Sequence, residues 1–140
     1  MTPPILYRKA LDLCELSRAI ASYVTYNKDL LKLYQSNSLR DIIADSLLTD
    51  AILIPQQIAR AEKSDNPVVR FRTARFISVM LKNIQGYTNG LENDGVKEQE
   101  YLNLLRKEIK SFQKAFKKWR KSLGSYGDEG QWGYQDYLGY

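Results

Sequence analysis

The residues with the most chemical content are cations. Between Leu102 and Leu123, LNLLRKEIKSFQKAFKKWRKSL, the basic residues are Arg106, Lys107, Lys110, Lys114, Lys117, Lys118, Arg120 and Lys121, against the single acid Glu108. A second basic group, Arg70, Arg72 and Arg75, lies further upstream. Charges of this kind hold phosphates and position a polyanion without reading its sequence. Tyr101 adds one ring able to stack on a base. Catalysis has less to work with. Histidine is absent, which removes Ser-His and Cys-His nucleophile pairs and every zinc site that needs an imidazole. Asp41, Asp45 and Asp50 offer carboxylates, but their spacing does not keep them on one helical face. There is no GK[ST] phosphate loop, GxGxxG, CxxC or HExxH. Gly90-Leu91-Glu92-Asn93-Asp94-Gly95 imitates a phosphate loop only in its glycines. The chain is therefore expected to bind rather than to catalyse, with no metal site and no cofactor.

The charge is unevenly placed. The whole chain carries +5, yet residues 1–123 hold all 21 basic residues and 13 of the 16 acids, a net +8. A field of that size draws in polyanions, although it also serves plain solubility. The only cysteine, Cys14, allows no intrachain disulfide and suits a reducing compartment, so a cytoplasmic protein is expected. Cys14 is read as a small core residue. No stretch of 18 apolar residues occurs, and the N-terminal sequence lacks the long apolar segment of a secretory signal, so no membrane partner is expected.

These charges need helices to position them. In 102–123 the large apolar residues Leu102, Leu105, Ile109, Phe112, Phe116, Trp119 and Leu123 follow one another by threes and fours, the period of a helical stripe. With Leu102 at heptad position a, Arg106 and Arg120 fall at e. The lysines fall at b, c and f, and Glu108, Ala115 and Ser122 at g. Four helices are expected, at about Ile5–Val24, Leu39–Lys63, Pro67–Leu91 and Val96–Leu123. The first has an inner stripe of Leu6, Ala10, Leu13, Ser17, Ile20 and Val24. The second has two stripes, Ile43-Leu47-Ala51-Ile54-Ile58-Ala61 and Leu48-Ile52-Ala59, and runs through Pro55 with a kink. The third also has two, Phe76-Met80-Asn83-Tyr87 and Ile77-Leu81-Ile84-Leu91. Residues 25–38 either extend the first helix or form a separate turn, with Ser36-Asn37-Ser38 as the break and Ser38 and Asp41 as a capping box. Asn66 or Asp65 caps the third helix ahead of Pro67. Asn89-Gly90 and Asn93-Asp94-Gly95 mark the next turn.

Part of the positive charge has a structural reason. Lys117, Lys118, Arg120 and Lys121 match the negative end of the last helix's dipole, but Arg106, Lys107, Lys110 and Lys114 sit mid-helix. Arg70, Arg72 and Arg75 lie near the unfavourable end of theirs, and either phosphate contact or pairing with a neighbouring helix explains them.

The elements imply an all-α, antiparallel up-down four-helix bundle over 1–123. The second and third helices carry more apolar arc than one core needs, so one stripe is expected to be a subunit interface. Residues 124–140, GSYGDEGQWGYQDYLGY, differ in kind: five glycines, five aromatics, three acids and no periodicity. They read as a tail, flexible when free, that either stays solvated or docks on a partner or on the basic body.

Over about residues 5–123 the chain resembles the four-helix bundle proteins named after 23S rRNA intervening sequences. It is similar also to their relatives, the accessory variability determinants of diversity-generating retroelements. Ile54-Pro55-Gln56-Gln57-Ile58-Ala59 is similar to the family's I-P-x-N-I-A segment, with Gln57 in place of Asn. Phe71 to Ile84 resembles the helical segment that follows it. Trp119-Arg120-Lys121-Ser122 resembles the W-x-K-S ending of the accessory proteins. Arg60-Ala61-Glu62 replaces the family's E-G, and the tail has no counterpart. The resemblance implies a ring-like homopentamer with a positive surface. In the retroelement branch it implies an accessory protein that binds RNA or DNA and a reverse transcriptase and supports mutagenic retrohoming. In the intervening-sequence branch the function is unknown, and the alternative expectation is a structural protein-interaction module of that type with no nucleic-acid role.

Overall fold

The computed structural model describes residues 5–123. The proposed tail at 124–140 and the opening Thr2-Pro3-Pro4 lie outside the described residues. Five helices follow one another: α1 (Ile5–Val24), α2 (Leu30–Gln35), α3 (Leu39–Lys63), α4 (Pro67–Asn93) and α5 (Gln99–Ser122). No strand occurs among the described residues, so the architecture is that of a helical bundle.

The four long helices enclose one core in the cyclic order α1, α3, α4, α5 and back to α1. Their directions follow from side-chain pairs. Tyr23, near the end of α1, donates to Glu98 just ahead of α5 and packs edge-on against Tyr101, so α1 and α5 run oppositely. Asp50 of α3 accepts from Tyr87 of α4, and Ile43 lies opposite Gly90, so these two are antiparallel. Arg106 of α5 reaches back to Asn89 and Glu92 of α4.

Each expected inner stripe that belongs to the core is there. α1 buries Leu6, Ala10, Leu13, Ser17, Ile20, Ala21 and Val24, and α5 buries Leu102, Leu105, Ile109, Phe112, Phe116 and Trp119. In α4 the stripe Ile77-Leu81-Ile84-Leu91 is fully buried, whereas the neighbouring line departs from expectation. Met80 is buried, but Phe76 is 47% exposed and Asn83 faces water. One core uses one arc of each helix, and Phe76 and Asn83, one heptad apart, lie just outside that arc while Met80 is at its margin. In α3, Leu48, Ile52 and Ala59 are half-buried at its edge. Cys14 is half-buried rather than enclosed. Pro55 is buried inside a continuous α3.

Residues 25–38 form a separate element. After α1 the chain turns through Tyr26 and Asn27, both left-handed at φ 57° and 61°. A single turn, α2, then starts at Asp29, whose carboxylate accepts from the Lys32 amide. Leu33 is its buried anchor. Ser38 caps α3 by accepting from the Asp41 amide. The return half of the expected capping box is absent: Ser36 Oγ, not Asp41, takes the Ser38 amide. Asp41 turns instead toward Ser36 Oγ at 2.7 Å and Lys28 Nζ at 2.7 Å. Asn66 is the cap of α4.

The α4–α5 turn sits later than expected. The helix continues through Asn89 and Gly90 to Asn93, and α5 begins at Gln99 rather than Val96. The stop signal is Gly95, at φ +91°. Its amide bonds to Glu92 O and the Val96 amide to Leu91 O, the paired 5→2 and 6→1 bonds of a Schellman ending, with Val96 and Leu91 both buried. Asn-Gly in a helix interior is tolerated here because the core face continues through Leu91. Gly95→Ala is expected to lower stability by about 1 kcal/mol, since a Cβ is strained at that φ although nothing crowds the position. Urea unfolding of the variant measures it.

Against the expectation of no membrane-compatible segment, Leu39–Lys63 is long and apolar enough to cross a membrane by length and composition. Its apolar residues come in short runs broken by small polar ones, so averaging over a window reveals what counting unbroken runs does not. The face through Ala44, Leu47, Ala51, Ile54 and Ile58 is packed into the bundle core.

Candidate nucleic-acid interface

The amphipathic stripe of α5 fixes where its charges point. At 100° per residue, burying Leu105, Ile109, Phe112 and Phe116 turns Lys107, Lys114 and Lys118 directly outward. Lys121 lies close to that outward line, Lys110 sits on the shoulder toward α4 beside Gln85 and Asn89, and Lys117 also lines the groove toward α1. All six are exposed, and none takes part in the three ion pairs found among the described residues.

The two arginines of α5 behave differently. Arg106 places Nη2 3.0 Å from Glu92 Oε1 and Nη1 3.2 Å from Oε2, and also donates to Asn89. The forked pairing holds the Glu92 carboxyl below its usual range, chiefly through the Arg106 hydrogen bonds. Arg120 is only 6% exposed. Both therefore leave the outward surface on which the sequence placed them. Heptad position e adjoins the core, and a long side chain there packs its stem against it.

The upstream trio also splits. Arg70 falls seven residues before Ile77, on the core line, and is half-buried with its Nε enclosed. Arg72 and Arg75 face solvent. The antiparallel register set by Arg106 against Asn89 and Glu92 puts Arg75 about level with residues 120–123. It also puts Lys82 about level with 113–116. Lys82 is exposed, one heptad after Arg75 on the α4 edge that faces α5. The basic strip thus crosses the α4–α5 seam and includes a lysine missed in the sequence. The signal was available, because 75, 82 and 89 share a heptad line, but only the register of two helices makes that line the edge of a strip.

On the α1 side, α5 borders a groove of about 720 Å³ lined by Ile5, Leu6, Lys9, Ala115, Trp119 and the outer lysines. Its floor is apolar and its rim is cationic. Ala115 at position g is what leaves the space. Trp119 is held by a hydrogen bond from Nε1 to Glu62 Oε1 of α3.

The carboxylates are structural where the structure pairs them. Asp50 accepts from Tyr87 at 3.0 Å, and burial together with that bond raises the Tyr87 hydroxyl above its ordinary value. Burial alone would raise Asp41. Hydrogen bonds from Lys28 and Ser36, with the charges of Lys28 and Arg40, outweigh it and hold the carboxyl below the ordinary 3.8. This pair contributes stability that is complete above about pH 4 and is lost as pH falls through the lower folded value. Asp41→Asn is accordingly expected to flatten the acid limb of a stability–pH profile below about pH 4, leaving its neutral-to-alkaline part parallel to the parent. Among the described residues no group of three or more His, Cys, Asp or Glu side chains could hold a metal ion.

Comparison of the chain with known protein families, with curated proteins and with solved structures finds no match.

Proposed function

We propose that the protein is a non-enzymatic nucleic-acid-binding bundle that grips phosphates through the basic strip over α5 and the α4 edge. The single observation that carries this reading is the run of six exposed lysines on one helix with no carboxylate partner among the described residues. Dipole matching accounts for a lysine or two in a last turn, not for Lys107, Lys110 and Lys114. In the finer form that the family resemblance suggests, the partner is the RNA or cDNA template of a diversity-generating retroelement. The bundle, as a ring-like homopentamer in the cytoplasm, then supports a reverse transcriptase in mutagenic retrohoming.

The test is a salt titration. If all six lysines meet phosphates of a single-stranded RNA, log K falls against log salt with a slope of about −4. No binding at low salt, or a slope near zero, sinks the proposal.

A second reading is a protein-interaction module, favoured by exposed apolar side chains on the α3–α4 side, Ile42, Phe76 and Val79. Pull-down with and without nuclease separates the two, since only a nucleic-acid-bridged complex is lost on digestion.

A further inference from the structure

Phosphate contacts leave the groove between the start of α1 and the end of α5 unused. Its floor, Leu6, Ala115 and Trp119, is apolar, and Lys9, Lys114 and Lys118 stand at its rim. Its volume, about 720 Å³, is in the range of sites that enclose small ligands. Lys114 and Lys118 also belong to the outward line of the strip, so the groove and the strip share two cations. An occupant must therefore offer an apolar face to the floor and carry anions that continue along α5. A nucleotide whose base is turned out of its strand does both.

We propose that the protein takes its nucleic acid as a single strand and seats one unpaired base in this groove, the base on Leu6, Ala115 and Trp119 and the flanking phosphates on Lys9, Lys114 and Lys118. This rests on the nucleic-acid reading above and adds to it the strandedness of the partner and a contact to a base.

The floor is preformed. Leu6 is buried in the bundle, and Trp119 is fixed by its hydrogen bond to Glu62, so binding spends little on ordering side chains. The space depends on Ala115, which is half-buried, and a longer side chain there would occupy it. The rim suits the backbone of a strand. Lys114 and Lys118, one turn apart, are separated by about 6 Å along α5, a distance that successive phosphates of an extended strand match. A phosphodiester chain repeats one charge per nucleotide, so it continues to the exposed Lys110 and Lys107, which an acidic peptide has no such regularity to follow. A duplex can also meet the lysines, but its bases stay stacked and paired. Turning one out costs unpairing energy, so the apolar floor remains empty.

The test pairs one change in the protein with one in the ligand. Ala115→Leu fills the groove and leaves every charge in place. An oligouridylate is compared with an abasic ribose-phosphate oligomer of the same length, which keeps the charges and has no bases. With the parent chain, removing the bases is expected to weaken binding by about tenfold, the effect of one seated base, with the salt slope unchanged. With Ala115→Leu, its fold checked by circular dichroism, the two oligomers should bind alike, at the parent's affinity for the abasic one. A duplex of the same length should bind parent and variant equally. The oligouridylate, and not the abasic oligomer, should also shift the amide resonance of Leu6, which lies on α1 away from the strip. Equal, salt-dependent binding of both oligomers by the parent overturns the inference and leaves the phosphate grip standing. A base effect of undiminished size in Ala115→Leu also overturns it, because the base then sits elsewhere. Should Ala115→Leu not fold, the oligomer comparison and the Leu6 shift in the parent decide. Absence of binding to every oligomer at low salt removes the nucleic-acid reading and this inference together.

Discussion

Phe116→Ala is expected to lower the unfolding free energy by about 3–5 kcal/mol. The side chain is fully buried, stacked beside Phe112 at 6.1 Å and beside Trp119 at 6.0 Å between ring centres. Truncation removes the transfer energy of the ring and leaves a cavity that the neighbours cannot close. Phe112 is itself fully buried, and Trp119 is anchored to Glu62. A loss of this size is a large part of the roughly 5–15 kcal/mol that holds a domain of this kind together. Phe76→Ala is the matched control. Its ring is 47% exposed, so less than about 1.5 kcal/mol should go. Urea unfolding of the two variants checks both, read as a shift in midpoint at constant slope. Equal losses would mean that Phe76 is covered in solution, as a subunit interface at that surface requires.

Reversing Lys110, Lys114 and Lys117 to Glu is expected to weaken RNA binding by at least about 100-fold at 50 mM salt and to reduce the salt slope by about 2. Three phosphate contacts vanish, and three repulsions replace them. Folding should survive, because all three side chains are exposed and none is in an ion pair among the described residues. Filter binding across a salt series, with far-ultraviolet circular dichroism as the folding control, measures the effect. Unchanged affinity would remove the α5 strip from the interface. The equivalent change at Arg106 is a poor test, since it would break the pairing with Glu92 and report on the α4–α5 seam instead.

Much of the bundle was legible from the primary structure because burial imposes a period. The stripes of α1 and α5 are written in intervals of three and four, and the structure buries the same residues except Leu123, half-buried just past the end of α5. The caps at Ser38 and Asn66 were legible too, being local chemistry between a side chain and an amide two or three residues on. Of the two signals read for the turn before α5, Asn93-Asp94-Gly95 ends the helix and Asn89-Gly90 does not. Asn89-Gly90 looks like a stop in isolation, but packing of Leu91 carries the helix past it to Gly95, whose φ is positive.

By itself, then, the sequence determined the helical class, the long elements, and the excess of positive charge on the last of them. Only the tertiary structure decided which charges meet solvent. It pairs Arg106 with Glu92, buries Arg120, encloses the Nε of Arg70 and aligns Lys82 with the lysines of α5. Charge is a property of the residue, whereas exposure and pairing depend on what a neighbouring helix brings alongside. That in turn is set by a register that no single helix contains.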